Sequence, residues 1–278
     1  MKTKKHSAPP PSGFLDLCDE LPFWSSPFGL KLLDTIDYRS TAAALDIGFG
    51  SGFPLIELAM RLGERCTVYG IDPWKDIIPQ VESKIACFGI NNIKLLSGFA
   101  ESIPLPDRSV DLITSNNGIN NVQDVELVFA ECSRIIKPGG QFVWSMNTAK
   151  TMFEFYLQLE TVLTEMGLNA ALEAMHRHID EKRPSVDSLV VLLQKQGFII
   201  KNIEPDQFTY RFADGTAMLG HYFIRIAFLE SWKKLLPPDR EDEVLASVES
   251  KLNEFSRLCG GMKLSIPFVV VNAVKTEA

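Results

Sequence analysis

Paired cysteines are missing from this chain. Cys18, Cys66, Cys87, Cys132 and Cys259 stand singly, with no CxxC spacing. That excludes the usual zinc-ligand pattern and a disulfide framework, and leaves most of them to be read as small buried hydrophobes. No apolar run reaches the ~18 residues of a membrane helix, and none follows Lys2, Lys4 and Lys5 as a secretory signal would require. The expectation is a cytoplasmic protein without a membrane partner. Clustered basic residues are lacking as well. The net charge is -7, and beyond the basic N-terminus the chain is more acidic still. Nucleic acid is therefore not the expected partner, because phosphate contacts need grouped Lys and Arg. Only four histidines are available for acid-base work, and there is no internal repeat.

What the chain does have is bulk and rhythm. At 278 residues and 46% hydrophobic it can bury a full core, and it is long for one α/β domain and short for two. Residues 42–47 read as a strand buried on both faces. Gly48, Gly50 and Gly52 follow, and Leu55 to Leu62 begins a helix. A strand that turns through glycines into a helix lets backbone approach a ligand at a helix N-terminus. Strands at 67–71, 93–96, 110–115 and 141–146 alternate with helices at 77–88 and 122–136, the pattern of a doubly wound parallel sheet. Lys137-Pro138-Gly139-Gly140 reads as a turn into the fifth strand.

Beyond Thr148 the rhythm changes. A helix at 151–166 precedes a polar stretch, Asn169 to Arg183. Then come a helix at 186–196, strands at 198–203 and 207–212, an apolar helix at 216–236, an amphipathic helix at 241–258 and a strand at 267–274. A further helix, 27–36, precedes the first strand.

The glycine stretch admits two fingerprints. G-x-G-x-x-G, for a dinucleotide, needs glycine where Phe53 stands. Asp46, at the strand end, would repel a pyrophosphate but suits a ligand with an ammonium group, which points to S-adenosylmethionine. Asp72 ends the second strand, where a carboxylate either takes both hydroxyls of a ribose or caps the next helix.

These pieces together resemble the class I S-adenosylmethionine-dependent methyltransferases, in the small-molecule branch that includes quinone- and sterol-methylating enzymes. The matching residues are Leu45-Asp46-Ile47-Gly48-Phe49-Gly50-Ser51-Gly52, Gly70-Ile71-Asp72, Ala100 to Asp107, Ser109 to Ile113 and Arg134 to Gly140. The resemblance implies a Rossmann-like, seven-stranded, mostly parallel sheet with a helical cover inserted after strand 5. Residues 1–13, basic and then proline-rich (Pro9, Pro10, Pro11), read as a disordered arm, and the resemblance implies a single methyltransferase domain over 14–278. Within that domain 42–146 would be the cofactor core, 147–240 the acceptor cover and 241–278 the last helix and strand.

S-adenosylmethionine is the implied cofactor. Gly48, Gly50 and Gly52 would pass its methionine part, with Asp46 acting on the amino end and the Asn116 backbone beneath. Asp72 would take the ribose, Pro73 and Trp74 would pack on the adenine, and Ala100 would donate to a ring nitrogen. Two departures stand out. Phe99 replaces an aspartate that commonly meets the adenine amine, leaving Phe99 to line the pocket or Glu101 to take the amine. Asn120 and Asn121 replace histidines, and an amide is no general base near neutral pH.

Methyl transfer depends on alignment and exclusion of water more than on covalent help. His221 and Tyr210 are the candidates for a catalytic base and an acceptor-binding hydroxyl, with burial in the core or an interface the competing reading. Aromatic residues outside the shared core, among them Trp24, Phe28, Tyr156 and Phe212, suit a small, apolar or aromatic acceptor. Two other classes remain open: a non-catalytic, partner-regulating protein of the same fold and an NAD-dependent oxidoreductase.

Overall fold

A computed structural model describes residues 23–38 and 41–277. The arm over 1–13 and the segment 14–22 lie outside the described residues. Two compact units are formed. The first takes the described residues up to Met146, with Ser185–Asp206 and Phe268 onward; the second takes Asn147–Pro184 and Gln207–Pro267. The break at 146/147 falls where the sequence rhythm changes. The boundary expected at 240 has no counterpart, since the second unit runs on to Pro267.

In the first unit α1 (Ser25–Thr35) buries Phe28, Leu32 and Leu33, with Pro27 in its first turn. Then come β1 (Ala43–Ile47), α2 (Leu55–Leu62), β2 (Thr67–Asp72), α3 (Ile78–Cys87), β3 (Ile93–Ser97), β4 (Val110–Asn116), α4 (Val125–Ile135) and β5 (Ile136–Asn147). The sheet has seven strands in the order β3-β2-β1-β4-β5-β7-β6, where β6 is Phe198–Phe212 and β7 is Met262–Lys275. From β3 to β5 each neighbouring pair is parallel. β1 lies between β2 and β4, which is why Ala44 to Ile47 are all buried, Asp46 included.

Three expectations change. Helix α4 starts at Val125, not at 122, because Asp124 caps it: Oδ1 accepts from the Glu126 and Leu127 N–H groups at 3.0 and 3.1 Å. The 137–140 turn lies inside β5. Val110 pairs with Ile136 and Leu112 with Gln141, so Lys137 to Gly140 bulge out of one continuous strand. The two strands read at 198–203 and 207–212 are one strand, β6. The first unit's core packs Phe129, Phe142 and Trp144 with Leu189 and Leu193 of α7 (Val186–Lys195) and Phe198.

The second unit contains α5 (Phe153–Glu165) and α6 (Asn169–Lys182), so the polar stretch after 168 is helical. It buries only Ala171 and Met175, which explains its polar composition. The apolar helix expected over 216–236 is broken. Helix α8 (Gly215–Gly220) ends at His221, whose extended backbone (φ -64, ψ 131) separates it from α9 (Tyr222–Ile224). A π-helical turn (Arg225–Leu229) and α10 (Glu230–Lys233) follow. Helix α11 (Glu241–Cys259) buries Val244, Val248 and Leu252. Glu154, buried, accepts from the Ser265 N–H at 2.9 Å and Oγ at 2.6 Å, tying α5 to the second unit's part of β7. Among the described residues no helix is long and apolar enough to cross a membrane.

Candidate active site

Three of the expected residues are joined by hydrogen bonds at the carboxyl ends of β1 and β2. Asp72 is 5% exposed, and both its oxygens are engaged. Oδ2 accepts from the Gly50 N–H at 2.9 Å and Oδ1 from the Trp74 N–H at 2.9 Å. Burial raises its pKa, and those two backbone donors oppose the rise. The carboxylate does not cap the following 3-10 turn at Lys75–Ile77, which has no side-chain cap. It holds the glycine loop against the end of β2 instead. Gly48 extends the same join, its N–H donating to the Ile71 carbonyl at 2.8 Å.

The loop conformation explains two of its glycines. Gly50 has φ +50, and a Cβ there would meet nothing within 4 Å. That is a left-handed turn facing open space, the place where backbone can meet a ligand. Gly48 has φ +78, and a Cβ would come within 3.0 Å of the Gly118 Cα, so the β4 loop closes on it.

Asp46 lies deeper. It is fully buried, and its Oδ1 accepts from the Thr114 Oγ1 at 2.7 Å. Oδ2 is closed to solvent and has no partner. Burial pushes the carboxyl up to about 7, the Thr114 hydrogen bond lowers it, and the nearby Asp72 charge raises it further. A buried carboxylate oxygen without a partner, at the end of the strand that leads into the glycine turn, has the chemistry to take a cationic nitrogen directly or through a water. The residues present therefore fit an S-adenosylmethionine ammonium group, and they would oppose a pyrophosphate.

Thr114 carried no local signal. It stands 68 residues from Asp46 and meets it only because the β1–β4 register pairs Asp46 with Thr114. A threonine at the polar end of an otherwise apolar strand was the available clue. Asn116, buried, accepts from the Ser145 Oγ at 2.8 Å and donates from Nδ2 to the Ser25 carbonyl at 3.1 Å. That fixes the end of β4 to β5 and to the start of α1.

Of the residues expected to meet the adenine, Trp74 and Phe99 are 41% and 48% exposed, Pro73 is exposed and Ala100 is buried. Glu101 uses Oε1 to accept from the Gln123 and Asp124 N–H groups, at 2.7 and 3.2 Å. It thereby anchors its loop to the start of α4. The asparagines after β4 are structural: Asn120 Nδ2 donates to the Asn117 Oδ1, and Asn121 Nδ2 to the Asn117 carbonyl, both at 3.1 Å.

Tyr210 and His221 lie in the second unit, joined through Phe212. The Tyr210–Phe212 and Phe212–His221 ring centroids are 6.2 and 5.4 Å apart. Burial raises the Tyr210 phenol well above its ordinary value, so it stays protonated and can only donate to an anionic oxygen or accept from a hydroxyl. His221 is exposed at the break between α8 and α9, not within a helix. Among the described residues no cluster of His, Cys, Asp and Glu could hold a metal ion. A cavity of about 680 Å³ opens at the opposite end of the first unit's sheet, by Asp37, Asp111 and Gln141. It does not border the glycine loop. Asp111 there is held by the Ala42 and Ala43 N–H groups and by Lys137.

Comparison with known proteins agrees with this geometry. Residues 45–144 match the family described as "Methyltransferase domain". The demethylmenaquinone methyltransferase of Geobacillus kaustophilus is 30% identical over 186 residues, 64% of this chain and 78% of the relative. Among solved structures, the Bacillus YcgJ protein superposes with a TM-score of 0.58 at 20% identity, covering 91% of this chain and 99% of that one. A SAM-dependent methyltransferase from Aquifex aeolicus superposes at 0.52, with 20% identity, over 68% and 89% of the two chains. The structural likenesses speak for the fold, and the sequence relative carries the family. With a carboxylate-braced glycine loop and this kinship, the chain belongs to the class I S-adenosylmethionine-dependent methyltransferases.

Proposed function

We propose that this enzyme methylates a small, apolar or aromatic acceptor with a ring like that of a quinone precursor. The relatives named as demethylmenaquinone methyltransferases support the ring, and the acidic composition supports a small molecule over a nucleic acid. The observation that carries the donor half is the Asp72 carboxylate bridging the Gly50 and Trp74 N–H groups, beside the unpaired Oδ2 of Asp46.

S-adenosylmethionine supplies a methyl group on a sulfonium, ready for attack by a nucleophile. The chain's own residues have the task of holding and orienting. Asp72, already fixed by two backbone donors, offers its remaining lone pairs to the ribose hydroxyls. Asp46 takes the ammonium group, and the bound cation holds it ionised. Gly50 keeps a side chain out of the methionine path, Gly48 and Gly52 shape the turn that lets backbone pass it, the Asn116 backbone lies beneath it, and Trp74, Pro73, Phe99 and Ala100 receive the adenine. Much of the acceleration is then orientation, as expected for an in-line transfer. In the acceptor half, protonated Tyr210 steadies an acceptor oxygen and His221 takes its proton.

Calorimetry with S-adenosylhomocysteine and with NADH tests the donor half: the former should bind and the latter should not, and the reverse result would overturn it. Transfer of labelled methyl to 1,4-dihydroxynaphthalene tests the acceptor half. Tyr210→Phe and His221→Ala should each slow it while leaving S-adenosylhomocysteine affinity intact. No transfer to the naphthalene diol by a protein that binds S-adenosylhomocysteine would sink the ring assignment alone.

A further inference from the structure

Helix α1 meets the glycine loop at Gly29, a buried residue in the middle of the helix. Its φ is not positive, so its conformation is one that any residue can adopt. Glycine inside a helix is unfavourable relative to alanine. Space calls for it here. A Cβ on Gly29 would overlap Cε1 of Phe53, lie 2.7 Å from its Cζ and come 3.2 Å from Nδ2 of Asn116. Phe53 directly follows Gly52 in the loop, and Asn116 ends β4. The absent side chain therefore lets the α1 backbone rest on the loop and on the end of β4 together.

The rest of α1 is pinned within the same compact unit. One turn before Gly29, the Ser25 carbonyl accepts from Asn116 Nδ2 at 3.1 Å. Phe28 packs on Phe268 with ring centroids 4.7 Å apart. At the other end the Thr35 carbonyl accepts from Gln141 Nε2 at 3.2 Å, and the Asp37 N–H donates to Gln141 Oε1 at 2.9 Å. A helix held at both ends cannot back away from a new side chain, so the overlap would fall on Phe53 and Asn116. Hydrogen bonds tie the loop at Gly48 to Ile71, at Gly50 to Asp72 and at the Ser51 carbonyl to Lys84. Beyond them Phe53 rests on α1. We propose that Gly29 is a positioning residue for the donor: the close approach it allows lets α1 brace Phe53 and Asn116. That brace holds the glycine loop and the end of β4 at the spacing the methionine part of S-adenosylmethionine needs, a role that rests on the reading of that loop above.

The test is calorimetry on the full chain with S-adenosylhomocysteine and with methylthioadenosine, which keeps the adenosine and sulfur but lacks the amino-acid part. Gly29→Ala should weaken S-adenosylhomocysteine about tenfold and leave methylthioadenosine within about twofold. An unchanged S-adenosylhomocysteine affinity, or equal losses for the two ligands as general loosening would give, overturns the proposal. Gly29→Ala added to Phe53→Ala should cost no further S-adenosylhomocysteine affinity, because the ring it would strike is gone; a further loss also overturns it. Phe53→Ala removes the brace from the other side of the contact, and carries the same two-ligand comparison if the Gly29→Ala chain does not fold. Wild-type protein that does not bind S-adenosylhomocysteine would overturn the donor reading and this role with it. Wild-type binding without the expected split would overturn this role alone.

Discussion

One buried charge at the glycine loop and one in the second unit are met in different ways. At the glycine loop of the first unit, Asp72 is met by two backbone N–H groups and Asp46 by Thr114, leaving one oxygen without a partner. In the second unit Arg183 rests on an aromatic ring with two N–H atoms unmet. The first is held largely by main chain, so its shape follows from strand ends and glycine conformations. The second is set by side chains on helices.

The sharpest way to break this comparison is at Asp72. Asp72→Ala removes the acceptor for the Gly50 and Trp74 N–H groups together with the proposed ribose ligand. We expect S-adenosylhomocysteine to bind about a hundredfold more weakly by calorimetry, on the order of 3 kcal/mol. An unchanged affinity would show that the loop does not hold the cofactor.

Asp46 gives a smaller effect with a definite sign. Burial pushes its folded pKa up to about 7, above the ordinary carboxylate value of 3.8. Between those values the native chain keeps a proton that the unfolded chain has released, so stability falls as pH rises through that window. Denaturant midpoints measured from acidic to neutral pH should decline more steeply for the wild type than for Asp46→Asn. Parallel profiles would mean that Asp46 does not titrate as its burial implies.

The smallest effect belongs to the second unit. Trp232→Phe deletes the hydrogen bond to Tyr156 and should lower stability by about 1 kcal/mol. Cofactor affinity should not follow, and a parallel loss of S-adenosylhomocysteine binding would erase the distinction between the two regions.

Legibility follows the same division. Asp46, the three glycines and Asp72 could be read because they occupy one strand–turn–helix unit and the end of the next strand, where local pattern fixes geometry. The helix break at His221 was not legible. A run of apolar residues from 216 to 236 carries helical periodicity, and only the extended backbone at His221 shows where the run divides. The Lys137 to Gly140 bulge was read as a turn because glycine and proline mark both, and pairing with β4 alone tells them apart. Asn120 and Asn121 looked like lost catalytic groups, yet their amides bind Asn117 within their own turn.

By itself the sequence determined the donor: the order of strands and glycines dictates a backbone path, and a carboxylate stands at the end of each of the first two strands. Tertiary structure alone decided how those carboxylates are held. Asp46 meets Thr114 through strand register, and the Asp72 carboxylate spans two strand ends to reach Gly50. It also decided that Arg183, at the end of a stretch with a polar composition, is a buried cation without a partner. Burial is a property of what packs around a residue, and no local pattern records it.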